Sequence, residues 1–100
     1  MEKVIMELIV NSGNARSRAM EAIREARNGE IDKANKKMHE CEEFLGMAHE
    51  VQTNLIQDEA SGKTSEVTLL MVHAQDHLMN AMSIKDIAKE LIDMYEMMKS

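Results

Sequence analysis

Three observations predict an all-α fold, an antiparallel up-down-up bundle of three long helices over about residues 2–27, 31–59 and 65–98. Apolar residues recur at the three-and-four spacing of a helix through almost the whole chain. Strand signals are missing, with neither β-branched alternation nor an Asn-Gly hairpin between two such runs. Breakers are few: the 100 residues hold no proline and four glycines. A chain of this length makes one domain, residues 1–100. Helices well above the usual mean of roughly 11–12 residues, joined by short links, suit a bundle of rods.

The first helix carries the stripe Val4, Ile5, Leu8, Ile9, Ser12, Ala15, Ala19, Ala22 or Ile23, and Ala26. Small residues in its second half let another helix approach closely. Asn11, Ser12, Gly13 and Asn14 interrupt it with weak helix formers, and a glycine inside a helix costs about 1 kcal/mol against alanine. The stretch reads equally as a helix break, as a tight-packing position at Gly13, or as the border of a polar site. Asn28 and Gly29 form a turn, with Gly29 supplying a C-cap.

The second helix has a seam of Ala34, Met38, Cys41, Leu45, Ala48, Gln52 and Leu55. Lys33, Lys36, Lys37, Glu40, Glu42 and Glu43 make its solvated face. Cys41 is the single cysteine, so there is no disulfide framework, and its seam position marks a core residue rather than a nucleophile. Ala60, Ser61, Gly62 and Lys63 form the one flexible loop, after which Thr64 or Ser65 is the expected N-cap of the third helix.

The third helix sets the problem. Val67, Leu70, Met71, Ala74, Leu78, Ala81, Ala88, Leu91, Tyr95 and Met98 form one stripe. At 3.6 residues per turn, His73, Asp76, His77 and Asn80 fall together on another face, which Leu69, Ile84, Ile87 and Leu91 extend. A helix apolar on two sides is expected to be buried on most of its circumference. Polar groups there must be hydrogen-bonded, liganded or functional. With two aromatics and eleven Met, three rods have a thin core, so self-association through this second face is expected.

Composition narrows the partners. A net charge of −6 argues against nucleic acid or anionic membrane, which select basic faces, and leaves room for a basic protein. Neither a basic-then-apolar leader nor an apolar run near 18 residues is present, so a cytoplasmic protein is expected.

Chemistry narrows the site. His73 and His77 have the His-x-x-x-His spacing of helical zinc sites, but the metalloprotease form needs Glu after the first histidine, and Ala74 stands there. A ferritin-like dimetal site needs Glu-x-x-His pairs on four helices, and neither is present. Core histidines satisfied by neighbours are the usual explanation of a lone His, less so of four polar residues on one face. An imidazole can instead act as a nucleophile toward a phosphoryl group, whose loose transition state asks mainly for in-line positioning and donors. Gln75, His77 and Asn80 are donors close by. Gln75 points off the shared face, so its part would be played across a subunit boundary or at a groove edge.

The segment VHAQDHLM, with VIMELIVNSGNARS near the N-terminus and VQTNLI in the second helix, resembles the lactose/cellobiose family of enzyme IIA proteins. These belong to the bacterial phosphoenolpyruvate-dependent sugar phosphotransferase system. The resemblance covers essentially the whole chain in order, and HAQDH is its most specific part. It implies a three-helix subunit assembled as a homotrimer. It also implies that His73 is phosphorylated at Nε2, taking the group from phospho-HPr and passing it to the cysteine of a cognate IIB. Asp76 would lie on the trimer axis, three copies holding a divalent cation, expected to be Mg2+. His77 and Gln75 would be supporting residues, and Asn11, Ser12 and Gly13 would border the groove. Cellobiose or a β-glucoside such as diacetylchitobiose is expected ahead of lactose. The rival reading is a homotrimeric metal-binding or scaffolding bundle without phosphoryl transfer, against which intact His73 and Gln75 speak.

Overall fold

The computed structural model describes residues 2–63 and 66–99. They form α1 (Glu2–Arg27), α2 (Ile31–Ala60) and α3 (Leu69–Met98), in a rod of 56 × 19 × 18 Å. Ion pairs reveal the direction of packing. Arg18 meets Glu40 and Glu21 meets Lys37, so numbering rises on α1 as it falls on α2. Gln52 meets Gln75 and Glu42 meets Lys89, which makes α3 antiparallel to α2. The Lys99 Nζ donates to the Gly29 carbonyl at 2.8 Å, bringing the end of α3 back to the α1–α2 turn. The bundle runs up, down, up.

The core follows the expected seams. Ile5, Leu8, Ala15, Ala19, Ala22 and Ala26 are buried on α1, and Ile31, Ala34, Met38, Cys41, Leu45 and Ala48 on α2. The alanine ladder of α1 lets both other helices lie close, because no large side chain holds the backbones apart. Gly29 adopts φ 83°, a left-handed turn conformation open to glycine and costly for most residues.

Two readings of α1 fall away. The helix runs unbroken through Asn11, Ser12, Gly13 and Asn14, so the stretch is no hinge. A Cβ at Gly13 would meet nothing within 4 Å, so the glycine serves no close packing within the subunit. Ser12 is fully buried, and its hydroxyl has no hydrogen-bond partner among the described residues.

The third helix begins later than expected. Thr64 and Ser65, the expected cap, lie outside the described residues, but Glu66 and Val67 precede the helix rather than belong to it. Thr68 is the N-cap, its side chain accepting a 3.1 Å bond from the Met71 N–H. The hydroxyl satisfies an orphan donor that Val67 could not. Glu66, Val67 and Thr68 thus precede the helix instead of opening it.

The expected burial of α3 also needs correction. Ala74, Leu78, Ala81, Ala88 and Ile92 are buried, whereas Val67, Leu70 and Met98 are exposed and Leu91 is half-buried. From Ala88 the inward path steps four residues to Ile92, not three to Leu91. The second face is not covered in the subunit, since α1 and α2 lie on one side only. Leu69 is 85% exposed and Ile87 58% exposed, although Ile84, on the flank, packs partly against the core.

Candidate functional site

Four polar residues stand on this outward face of α3 as two pairs four residues apart, one turn of helix each. His73 and His77 meet edge-on, their rings perpendicular with centroids 4.5 Å apart and their Nε2 atoms 3.1 Å apart. One ring must supply the hydrogen and the other the lone pair, so the two tautomers are complementary. His73 is exposed and His77 half-buried. Beside them Asn80 Nδ2 donates to Asp76 Oδ2 at 3.3 Å, both side chains being exposed.

The sequence expectation of a polar cluster on one face is therefore met in geometry, and within one subunit that face is open to solvent. Water reaches His73 and Asp76. Exposed Leu69, Val72, Met79 and Ile87 surround them on the same helix.

Gln75 lies apart from this cluster, turned toward α2. Gln52 Nε2 donates to Gln75 Oε1 at 2.6 Å in a partly buried contact. Gln75 also lines a groove of about 310 Å³ with Leu55, Ile56, Glu59, Glu66, Val67, Met71 and Val72. The walls come from α2, α3 and the segment before α3, with no contribution from Asn11, Ser12 or Gly13. Val72 and Gln75 thus face the groove while His73 faces away from it.

Periodicity places Gln52 in the α2 seam but gives it no part in the site. Gln52 continues the register Ala34, Met38, Cys41, Leu45, Ala48, in which every earlier member is apolar or a thiol. A primary amide in that register was the available signal.

Cys41 has the core role expected of it, fully buried as a free thiol. Burial pushes its pKa up, Glu42 adds to the rise, and Lys85 and Lys89 oppose it. A thiol held protonated is a poor nucleophile.

A sequence profile of the family described as "PTS system, Lactose/Cellobiose specific IIA subunit" matches residues 3–96. The chain belongs to this family. The lichenan-specific phosphotransferase enzyme IIA component of Bacillus subtilis (strain 168) is 55% identical over 96 residues, spanning 96% of this chain and 87% of that protein. The N,N'-diacetylchitobiose-specific EIIA component of Escherichia coli (strain K12) is 42% identical over 100 residues, 100% of this chain and 86% of the relative. Among solved structures, the crystal structure of the cellobiose-specific enzyme IIA from Bacillus anthracis superposes with a TM-score of 0.95. It has 47% identity over 98% of this chain and 90% of that one. The Escherichia coli IIA(Chitobiose), solved in complex with HPr, gives a TM-score of 0.85 and 41% identity over 99% and 96% of the two chains. This IIA chain is accordingly a phosphotransferase component of a sugar phosphotransferase system. None of its described helices is long and apolar enough to cross a membrane.

Proposed function

We propose that this IIA subunit is a phosphohistidine carrier, a cytoplasmic homotrimer that accepts a phosphoryl group from phospho-HPr on His73 and delivers it to the cysteine of a cognate IIB. The observation that carries the reading is the exposed His73–His77 pair, set in the HAQDH segment of a chain of this family. A neutral His73 with its hydrogen on Nδ1 presents the Nε2 lone pair, and His77 then donates to it from its own Nε2. On transfer, that lone pair forms the new N–P bond while the donor's N–P bond breaks, its electrons returning to the donor imidazole. The hydrogen on His77 is then free to turn to a phosphoryl oxygen. Onward transfer breaks the His73 N–P bond and forms an S–P bond on IIB. The start of α3 at Leu69 helps, because side chains on a helix lean toward its N-terminus, the end that favours negative charge.

Self-association explains the outward face. Leu69, Val72, Met79, Ile87 and Met94 are more than half exposed in the subunit, a stripe that calls for a partner. A trimer through α3 would bury it and bring three Asp76 side chains together. No group of three or more His, Cys, Asp or Glu suited to a metal occurs among the described residues of one subunit, so such a site needs several copies. The Asp76 carboxylate fits the task. It is an exposed hard-oxygen donor that keeps lone pairs beyond the one taken by Asn80. A divalent cation there, Mg2+ by preference, would supply the counter-charge that three carboxylates need. The HPr-bound relative supports HPr as the donor partner. The lichenan, diacetylchitobiose and cellobiose relatives support cellobiose or a related β-glucoside such as diacetylchitobiose as the sugar, ahead of lactose.

Labelled phosphoenolpyruvate with enzyme I and HPr provides the test. Wild type should take up one acid-labile, base-stable phosphoryl group per chain, on the peptide holding His73. His73→Ala should stay folded and take up none. Stoichiometric labelling of that variant at His77, His39 or His49 would overturn the assignment.

A further inference from the structure

Gln75 has two faces, and in the structure its carbonyl is the one engaged. A primary amide offers a carbonyl acceptor on one side and an NH2 donor on the other. Unrestrained, it can present either by turning over. Here Gln52 Nε2 holds Gln75 Oε1 at 2.6 Å, so the carbonyl is engaged with α2 and the NH2 is left for the groove that Gln75 lines. That choice matters for phosphoryl chemistry. A phosphoryl group in transit shows only acceptor oxygens, so an amide helps with its NH2 and repels with its carbonyl.

We propose that Gln52 is a positioning residue for phosphoryl transfer: it locks the Gln75 amide with its NH2 outward, as a donor to the phosphoryl group at the subunit boundary. The proposal rests on the reading of the chain as a trimeric phosphohistidine carrier. Gln75 is turned away from His73 of its own helix, so the phosphoryl group it serves sits on a neighbouring subunit's His73. Neither glutamine gains or loses a proton. The bonds made and broken remain those between phosphorus and the ring nitrogens of donor and acceptor. Gln52 acts entirely by removing the unproductive rotamer before the group arrives. The position also explains a polar residue in an otherwise apolar seam of α2.

Single-turnover transfer from phospho-HPr tests this with Gln52→Glu, Gln52→Met, Gln75→Met and the two double variants. Light scattering confirms that each has the mass of wild type. Gln52→Glu keeps a hydrogen bond but can only accept. It therefore captures the Gln75 NH2 and turns the carbonyl outward. Transfer should slow by at least about tenfold, the equivalent of one charge-assisted hydrogen bond, and by more than in Gln52→Met, where the amide is merely released. The side-chain NH2 of Gln75 should meanwhile become protected in NMR exchange. In the Gln75→Met background Gln52→Glu should cause no further slowing. Equal rates for Gln52→Glu and Gln52→Met, or undiminished slowing in the Gln75→Met background, would overturn the proposal by showing a charge or packing effect. Should Gln52→Glu not fold, Gln52→Met decides alone: slowing only where Gln75 is intact supports the proposal, and equal slowing in both backgrounds overturns it. A Gln75→Met variant that transfers at the wild-type rate would also overturn it while leaving the carrier reading standing. Labelling of His73→Ala would instead remove the carrier reading itself.

Discussion

The two sides of α3 make opposite use of the same helix. Inward lie Ala74, Leu78, Ala81, Ala88 and Ile92, all buried and all apolar. Outward lie Leu69, Val72, His73, Asp76, Met79, Asn80 and Ile87, exposed and mixed in polarity. The inward side completes a core, where an unpaired polar atom has a high cost, so polar side chains are absent from it. The outward side carries large apolar residues that water would disfavour and a polar cluster that a subunit core would not accept. A surface of that composition is fitted to a partner at its apolar ends and to chemistry at its centre. The side that stabilises the subunit and the side of the proposed chemistry are thus half a turn apart.

Breaking the outward side should have the largest effect. Ile87→Asp would bring like charges into a desolvated contact at several kcal/mol per ion, so the trimer should fall to a monomer by light scattering with its helicity kept. A variant that remains trimeric would move the interface elsewhere. On the inward side, Leu78→Ala removes a fully buried side chain and should cost about 2–5 kcal/mol in denaturant unfolding. A loss below about 1 kcal/mol, as at a surface position, would erase the contrast between the faces. His77→Ala sharpens the comparison within the polar cluster. It should still accept the phosphoryl group, slowed by the roughly 1.5–3 kcal/mol of one lost hydrogen bond to a charged group, read as a single-turnover rate from phospho-HPr.

Asp76→Asn is gentler. On the proposed trimer axis it would relieve repulsion and remove an anionic metal ligand, so the trimer should persist with a melting temperature indifferent to chelator, unlike wild type. Dissociation of the mutant, with a wild type that also ignores chelator, would place Asp76 off the axis. The smallest effect belongs to the thiol of Cys41. The raised pKa of Cys41 means the folded state holds its thiol proton where the unfolded chain releases it. Its contribution is present below the ordinary value of 9.0 and is lost as pH rises beyond it. Between pH 8 and pH 10 the denaturation midpoint of wild type should therefore fall slightly more than that of Cys41→Ala.

Much of this arrangement was legible in the order of residues. Helical periodicity located all three rods, the ends of α1 and the start of α2 fell where expected, and the α2 seam from Ala34 to Ala48 is the buried one. The grouping of His73, Asp76, His77 and Asn80 follows from the pitch of a helix alone, and the HAQDH segment led to the family. These are local consequences, set by a rise and a turn angle that every α-helix shares.

Other features required the third dimension. Whether the second face of α3 is covered depends on where α1 and α2 lie, which periodicity does not encode; both lie on the Ala74–Leu78 side. The choice of Thr68 as cap rested on one hydroxyl reaching the Met71 N–H. Gly13 weakens a helix in isolation, yet neighbours on α1 outweigh a propensity of about 1 kcal/mol. The Gln52–Gln75 bond joins residues 23 positions apart, and only the antiparallel register of α2 and α3 brings them together. The sequence by itself determined the helices and which residues share a face, because those depend on short-range geometry. Tertiary structure alone decided which faces meet and which amide is held, because burial and hydrogen-bond partners are properties of neighbours distant along the chain.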